Sequence, residues 1–177
     1  MTDYPTGQTP TFWDPYPSVA THRFALGRTT QASRANPPLA VIGMNPSHAN
    51  EHSSDKTVNR IIEASVDLGY KGWIMLNLYP ERATSRRDLS AFDPALSRAN
   101  CAAIEQVLTA CGVSEVLGAW GNPNSTIRRA KDDVRSTLTR LGVRVFYLDD
   151  LTDANEPRHP APRTGRLPMT GPKRYLT

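Results

Sequence analysis

The segment Gly43-Met44-Asn45-Pro46-Ser47-His48 sets an amide, a hydroxyl and an imidazole close together, directly behind the apolar run Leu39-Ala40-Val41-Ile42. Such a set can donate and accept hydrogen bonds on a small ligand. In an open α/β sheet, ligands lie beyond the carboxyl ends of the strands. Glycine turns the backbone there without a steric penalty, and Pro46 stiffens the turn by fixing φ. The loop is therefore expected to present Asn45, Ser47 and His48 from a rigid support, with Gly43 and Met44 in its wall. The same residues also suit a strand-terminating turn in which Asn and Ser satisfy local backbone groups. A second candidate is His159, in the run Arg158-His159-Pro160-Ala161-Pro162-Arg163. Its neighbours suit a proline-stiffened loop rather than a core position.

Several other chemistries lack their residues. The chain has no G-x-x-x-x-G-K-[ST] loop and no G-x-G-x-x-G fingerprint. Ser47 lacks the G-x-S-x-G setting of a hydrolase nucleophile. Asp132-Asp133 and Asp149-Asp150 read as a helix face and a strand end rather than a Mg²⁺ set. Cys101 and Cys111 share one helix-like segment, where ten residues of rise separate them by about 15 Å, beyond disulfide reach. No second cysteine pair completes a zinc or iron–sulfur site. Neither a metal nor a cofactor is expected.

The elements that must position these residues follow from periodicity. His22 to Arg28 suits a short strand, with Phe24 and Leu26 alternating. Leu39 to Ile42 is expected to form a buried strand. Asp55 is an expected N-cap for a helix burying Val58, Ile61, Ile62, Ser65 and Leu68, with Gly69 as its stop. Trp73 to Leu76 forms a second apolar run and ends at Asn77. A helix from about Leu96 closes at Gly112, and Glu115 to Ala119 is a third strand, followed by Trp120-Gly121. Ser125 is expected to cap a third helix stopped by Gly142, and Val143 to Leu148 is the fourth strand. Alternating helices and near-continuous apolar strands predict an α/β fold, a three-layer α/β/α sandwich around a four-stranded, mainly parallel sheet. Parallel strands put Asn45, Asn77, Trp120 and the segment after Leu148 on one edge.

Residues 1–22 carry several prolines beside Tyr4, Phe12, Trp13 and Tyr16, and read as an irregular N-terminal arm; residues 23–177 read as one domain. The arm lacks the basic start and apolar core of a signal peptide. No run approaches the roughly 20 apolar residues that span a bilayer. A soluble, cytoplasmic monomer is the expectation. Net charge is +4, which hints at an anionic partner. Arg158, Arg163, Arg166, Lys173 and Arg174 follow Pro157 with no acidic residue among them, and Arg82, Arg86 and Arg87 form a second cluster. Both clusters also suit a solvated surface.

Gly-Met-Asn-Pro after the first buried strand, Asn-Leu-Tyr-Pro after the second, Ala-Trp-Gly after the third and His-Pro-Ala-Pro-Arg after the fourth together resemble the uracil-DNA glycosylase superfamily, closest to its single-strand-selective and mismatch-specific branches. The chain also resembles a bacterial and phage family of unknown function that shares Gly-x-Asn-Pro-Ser, the helix start Asp55-Lys56-Thr57-Val58-Asn59-Arg60, Asn-Leu, Arg-Ala-Thr and Ala-Trp-Gly. The resemblance spans roughly residues 23 to 175.

The superfamily resemblance implies a DNA glycosylase that extrudes uracil or another modified base, because the glycosidic carbon is inaccessible inside a duplex. It implies that Asn45 holds the attacking water, that the Asn77 amide reads the base edge, and that His159 donates to the base oxygen. Gly43, Met44, Ser47, His48 and Tyr79 would complete the base pocket. Arg158, Pro160, Pro162, Arg163 and Arg166 would meet the DNA backbone, where cations supply sequence-independent affinity. A preorganised donor aimed at the leaving base contributes on the order of 3–4 kcal/mol to such a transition state. The most active branch has Asp where this chain has Asn45, so water activation would fall to Asp55 or His48. Ser47 replaces a glycine and Ala161 a serine of the closest branches. The other readings are a non-catalytic reader of a flipped base and a nucleoside- or nucleotide-processing α/β enzyme.

Overall fold

The structure, a computed structural model, describes residues 2–85, 87–162 and 167–177. Among these it forms seven strands and three helices: β1 (Phe12–Asp14), β2 (Ala25–Arg28), β3 (Leu39–Gly43), α1 (Lys56–Asp67), β4 (Trp73–Asn77), α2 (Pro94–Cys111), β5 (Glu115–Gly118), α3 (Ser125–Arg140), β6 (Arg144–Tyr147) and β7 (Arg174–Tyr175). The strands make one mixed sheet in the order β1-β2-β4-β3-β5-β6-β7. The expected four strands are its parallel centre, β4-β3-β5-β6. Three further strands extend it: β1 and β2, the latter within the short strand expected over His22 to Arg28, are antiparallel at one edge, and β7 at the other. The proposed irregular arm thus supplies an edge strand.

β3 and β4 are buried throughout, which is why they read as unbroken apolar runs. Their alternate side chains feed two cores. Ala40, Ile42, Ile74 and Leu76 pack with Ile104 of α2 and Val134 of α3. Leu39, Val41, Trp73 and Met75 pack with Val58, Ile61 and Ile62 of α1. The face of the sheet to which the connections run therefore switches at β3. The connection leaving β3 runs to the α1 core, whereas those leaving its neighbours β4 and β5 run to the α2/α3 core. Such a switch point opens a crevice beyond the strand ends.

The helix ends follow local chemistry. Asp55 Oδ1 accepts from Val58 N at 2.9 Å, Asp93 caps α2 with Pro94 at its first turn, and Gly112 ends α2 at φ 65°. The third helix is capped one residue earlier than expected, by Asn124 accepting from Ile127 N at 2.9 Å. Cys101 and Cys111 are free and half-buried, and burial raises both thiol pKa values. No helix among the described residues is long and apolar enough to cross a membrane.

Leu76 is fully buried between β4 and the α2/α3 core. Leu76→Ala is expected to lower unfolding free energy by about 2–5 kcal/mol, read by urea denaturation; a change below 1 kcal/mol, on the order of a single surface substitution, would contradict this packing.

Candidate functional site

The β3–β4 register pairs Gly43 with Asn77 at the carboxyl end of the sheet. Beyond it the two chains stay stitched together. Leu78 N donates to Gly43 O at 2.8 Å, Tyr79 N to Met44 O at 3.1 Å, and Ala83 N to Pro46 O at 2.9 Å. Asn45 Nδ2 donates to Ala83 O at 2.8 Å and to Pro46 O at 3.1 Å. The loop after β3 is thus held against the segment after β4. Gly43 serves this junction through its size rather than its φ. A Cβ there would lie 2.3 Å from Met75 Cε and 3.1 Å from Asn77 Oδ1.

Above this junction lies a cleft of about 610 Å³ whose wall includes Met44, Asn45, Ser47, Asp55, His159 and Pro162. It also includes Arg23, Thr57, Met75, Thr84, Ser85 and Arg87. Asp55 reaches it from the start of α1, with Oδ1 on Val58 N and Oδ2 accepting from Ala49 N at 3.3 Å. Asn45, with its Nδ2 committed to two carbonyls, offers the cleft only its carbonyl oxygen.

His159 arrives on a braced loop. Trp120 Nε1 donates to Glu156 Oε2 at 2.6 Å, and Lys131 pairs with the other Glu156 oxygen. Gly121 N donates to Pro157 O at 2.8 Å. His159 Nδ1 accepts from Ala161 N at 3.2 Å, which leaves the ring proton on Nε2. Burial lowers the His159 pKa below its ordinary value, with the Asp55 carboxylate pulling the other way. At neutral pH the ring is therefore a neutral donor.

Asn77 is fully buried, and neither Nδ2 nor Oδ1 has a hydrogen-bond partner. Asn100 Nδ2 holds the backbone behind it, donating to Asn77 O at 2.9 Å and Leu78 O at 3.1 Å. Asn77 shares its sheet face with Met75, whose side chain lies in the cleft wall. An unpaired buried amide is costly, so this position is unexplained by folding alone.

Other candidates lie elsewhere. Tyr79 faces the α2/α3 core, stacks on Phe92 and accepts from Asp93 N at 3.0 Å through its hydroxyl. The chain leaves the strand at Asn77, so the two-residue alternation that would aim Tyr79 at the cleft is lost. His48 is exposed over an adjoining depression with Arg82. Pro160 is buried outside the cleft wall. Trp120, expected at the cleft, packs in the core as a brace. Arg158 donates to Asp150 O at 2.9 Å and pairs with Asp149 at 3.9 Å, away from the cleft. Arg174 and Lys173 likewise pair with Asp150 and Glu115. Arg163, Arg166 and Arg86 lie outside the described residues.

Arg23 was not foreseen. It is 3% exposed, yet it lines the cleft and donates from Nη1 to Ala49 O at 2.6 Å. Burial, with Arg82 nearby, lowers its pKa to about 10, so it remains cationic. It lies two residues before β2, and no local pattern in the sequence marks it out. Among the described residues no group of three or more His, Cys, Asp or Glu side chains suits a metal ion.

The elements define an α/β protein with a polar cleft at the switch point of a mixed sheet. Residues 23–161 match the family described as Protein of unknown function (DUF1643), and the chain belongs to that family. No curated protein and no solved structure matches it.

Because His159 resists protonation, its NMR titration midpoint is expected below the ordinary imidazole value of 6.5. The unfolded ring gains a proton first as pH falls, so stability drops below 6.5 until the folded ring also titrates. A flat stability profile for His159→Phe over that interval, against a sloping parent, checks the assignment. Trp120→Phe removes the donor to buried Glu156 and is expected to destabilise the fold by about 1–3 kcal/mol, measured by urea denaturation.

Proposed function

We propose that the protein is a uracil-DNA glycosylase-like hydrolase that takes an extruded uracil or modified base from DNA into this cleft and cleaves its N-glycosidic bond. On this reading the sheet and helices form a three-layer α/β/α sandwich of the uracil-DNA glycosylase type, acting as a monomer without cofactor. The observation that carries the reading is the meeting of His159 and Asp55 in one cleft at the carboxyl ends of parallel strands. A neutral imidazole donor suits a leaving base on which negative charge develops. A carboxylate in the same cleft suits removal of a proton from the attacking water.

In this mechanism the base enters toward Asn77 as the Met75 thioether swings aside; methionine is flexible enough to do so. Asn77 then pairs its unsatisfied donor and acceptor with the base edge. Water, accepted by the Asn45 carbonyl oxygen, attacks C1′ and gives its proton to Asp55. The C1′–N bond breaks with its electron pair going to the base, whose oxygen accepts from His159 Nε2–H. The commitment of Asn45 Nδ2 to Ala83 and Pro46 favours a second reading, in which the base is bound but not cut.

The test uses single- and double-stranded oligonucleotides carrying uracil or modified bases, with alkali to reveal abasic sites. Strand breaks are expected with the parent protein and should fall by about 10²-fold or more in His159→Ala and Asp55→Asn. Binding without strand breaks would support the reader. Neither binding nor breaks would overturn both.

A further inference from the structure

The cleft contains a buried cation that the fold does not neutralise. Buried charges are ordinarily paired, because an isolated ion loses its hydration without compensation. Arg23 is buried, and among the described residues no carboxylate lies within ion-pair distance of it. Its side chain has one acceptor, the Ala49 carbonyl, and its Nε has none. Arg82, beside it, is half-buried and interacts with the Glu51 carboxylate; its Nη1 donates to Ser47 O and Ala49 O, both at 3.0 Å, and its Nε has no partner. The carboxylate near Arg23 is Asp55, and both its oxygens accept from backbone N–H groups instead. The same cleft wall carries the hydroxyl-bearing Thr57 and Ser85 and the exposed cation Arg87.

We infer that Arg23 is the floor of a phosphate subsite in the cleft, so that the ligand is a phosphorylated nucleoside, held through its phosphate at Arg23 and through its base near Asn77. Guanidinium forks bind phosphate oxygens through charge-assisted, often paired hydrogen bonds. Here the fork is already oriented by Ala49 and shielded from water, and Arg87 supplies a second charge at the rim. The phosphate restores the neutrality that the fold leaves open. The subsite rests on the base-binding reading only for the group attached to the phosphate. That group is either a free nucleotide or one residue of a DNA strand, and both present the same oxygens to Arg23.

Isothermal titration at low salt with inorganic phosphate, ribose 5-phosphate, deoxyuridine and dUMP tests the inference on the parent protein. dUMP is expected to bind about tenfold or more tightly than deoxyuridine, and inorganic phosphate is expected to compete with it. Its affinity should weaken as the phosphate passes from dianion to monoanion near pH 6. Arg23→Gln should abolish the preference for dUMP, and Arg23→Lys should reduce it. If Arg23→Gln fails to fold, the parent comparison and Arg87→Ala, expected to weaken dUMP but not deoxyuridine, still decide. Equal affinity for dUMP and deoxyuridine without competition by phosphate overturns the subsite. Binding of deoxyuridine but not ribose 5-phosphate overturns it while sparing the base reading; the reverse result upholds the subsite and removes the base reading. A uracil-containing single-stranded oligonucleotide binding above or below dUMP separates the DNA source from the free nucleotide.

Discussion

The in-register parallel pairing of β3 with β4 is the constraint on which the rest of the site depends. It ends both strands together, so Gly43 and Asn77 lie side by side. A side chain at position 43 would collide with Met75 and press on Asn77. Beyond the pair, backbone hydrogen bonds carry the two chains onward as neighbours as far as Pro46 and Ala83. Asn45 closes this extension with two bonds to backbone carbonyls. The loop is consequently part of the rigid sheet rather than an appendage to it, which is the condition for presenting polar groups with fixed geometry.

A second set of contacts brings the opposite wall to the same place. Trp120 is deep in the core and cannot touch a ligand, but its indole N–H fixes Glu156, and Lys131 fixes the other oxygen of that carboxylate. The backbone then runs from Glu156 through Pro157, tied to Gly121, to His159. The Ala119-Trp120-Gly121 segment therefore acts at a distance: it anchors the chain that carries the imidazole. The N-terminal residues brace the third side, through Thr2 on Ser54 and the Tyr4 hydroxyl on Asn50 O at 2.6 Å.

The parts legible in the sequence were those determined by local pattern. The four central strands, the three helices and the Asp55 cap follow from runs, periodicity and capping residues. β1 and β7 were not legible, because three-residue and two-residue strands have too little pattern of their own and exist by pairing with β2 and β6. In the cleft, Asn45, Ser47, Asp55 and His159 were found because each follows a strand or starts a helix. Tyr79, given a place in the base pocket by the resemblance alone, packs in the α2/α3 core, because the chain leaves the strand after Asn77. The contacts of Arg158 with Asp149 and Asp150 were not legible, because those partners are close in space but eight or nine residues away in sequence. Arg23 had no local signature at all; its position depends on the Ala49 carbonyl, 26 residues on.

The two arginines share one physical feature: charge compensation is a long-range property of the fold. Arg158, Lys173 and Arg174, exposed cations that looked available to an anionic partner, are paired with carboxylates. Arg23, buried in the cleft wall, has no such pair among the described residues. That contrast puts an uncompensated charge inside the cleft. A surface cluster would bind any polyanion through screened, orientation-tolerant contacts. A shielded guanidinium fixed by a backbone carbonyl instead favours one anion in one orientation. Together with the buried, unpaired amide of Asn77 beside Met75 of the cleft wall, it leaves polar groups at two separate points whose hydrogen bonds the described residues do not complete.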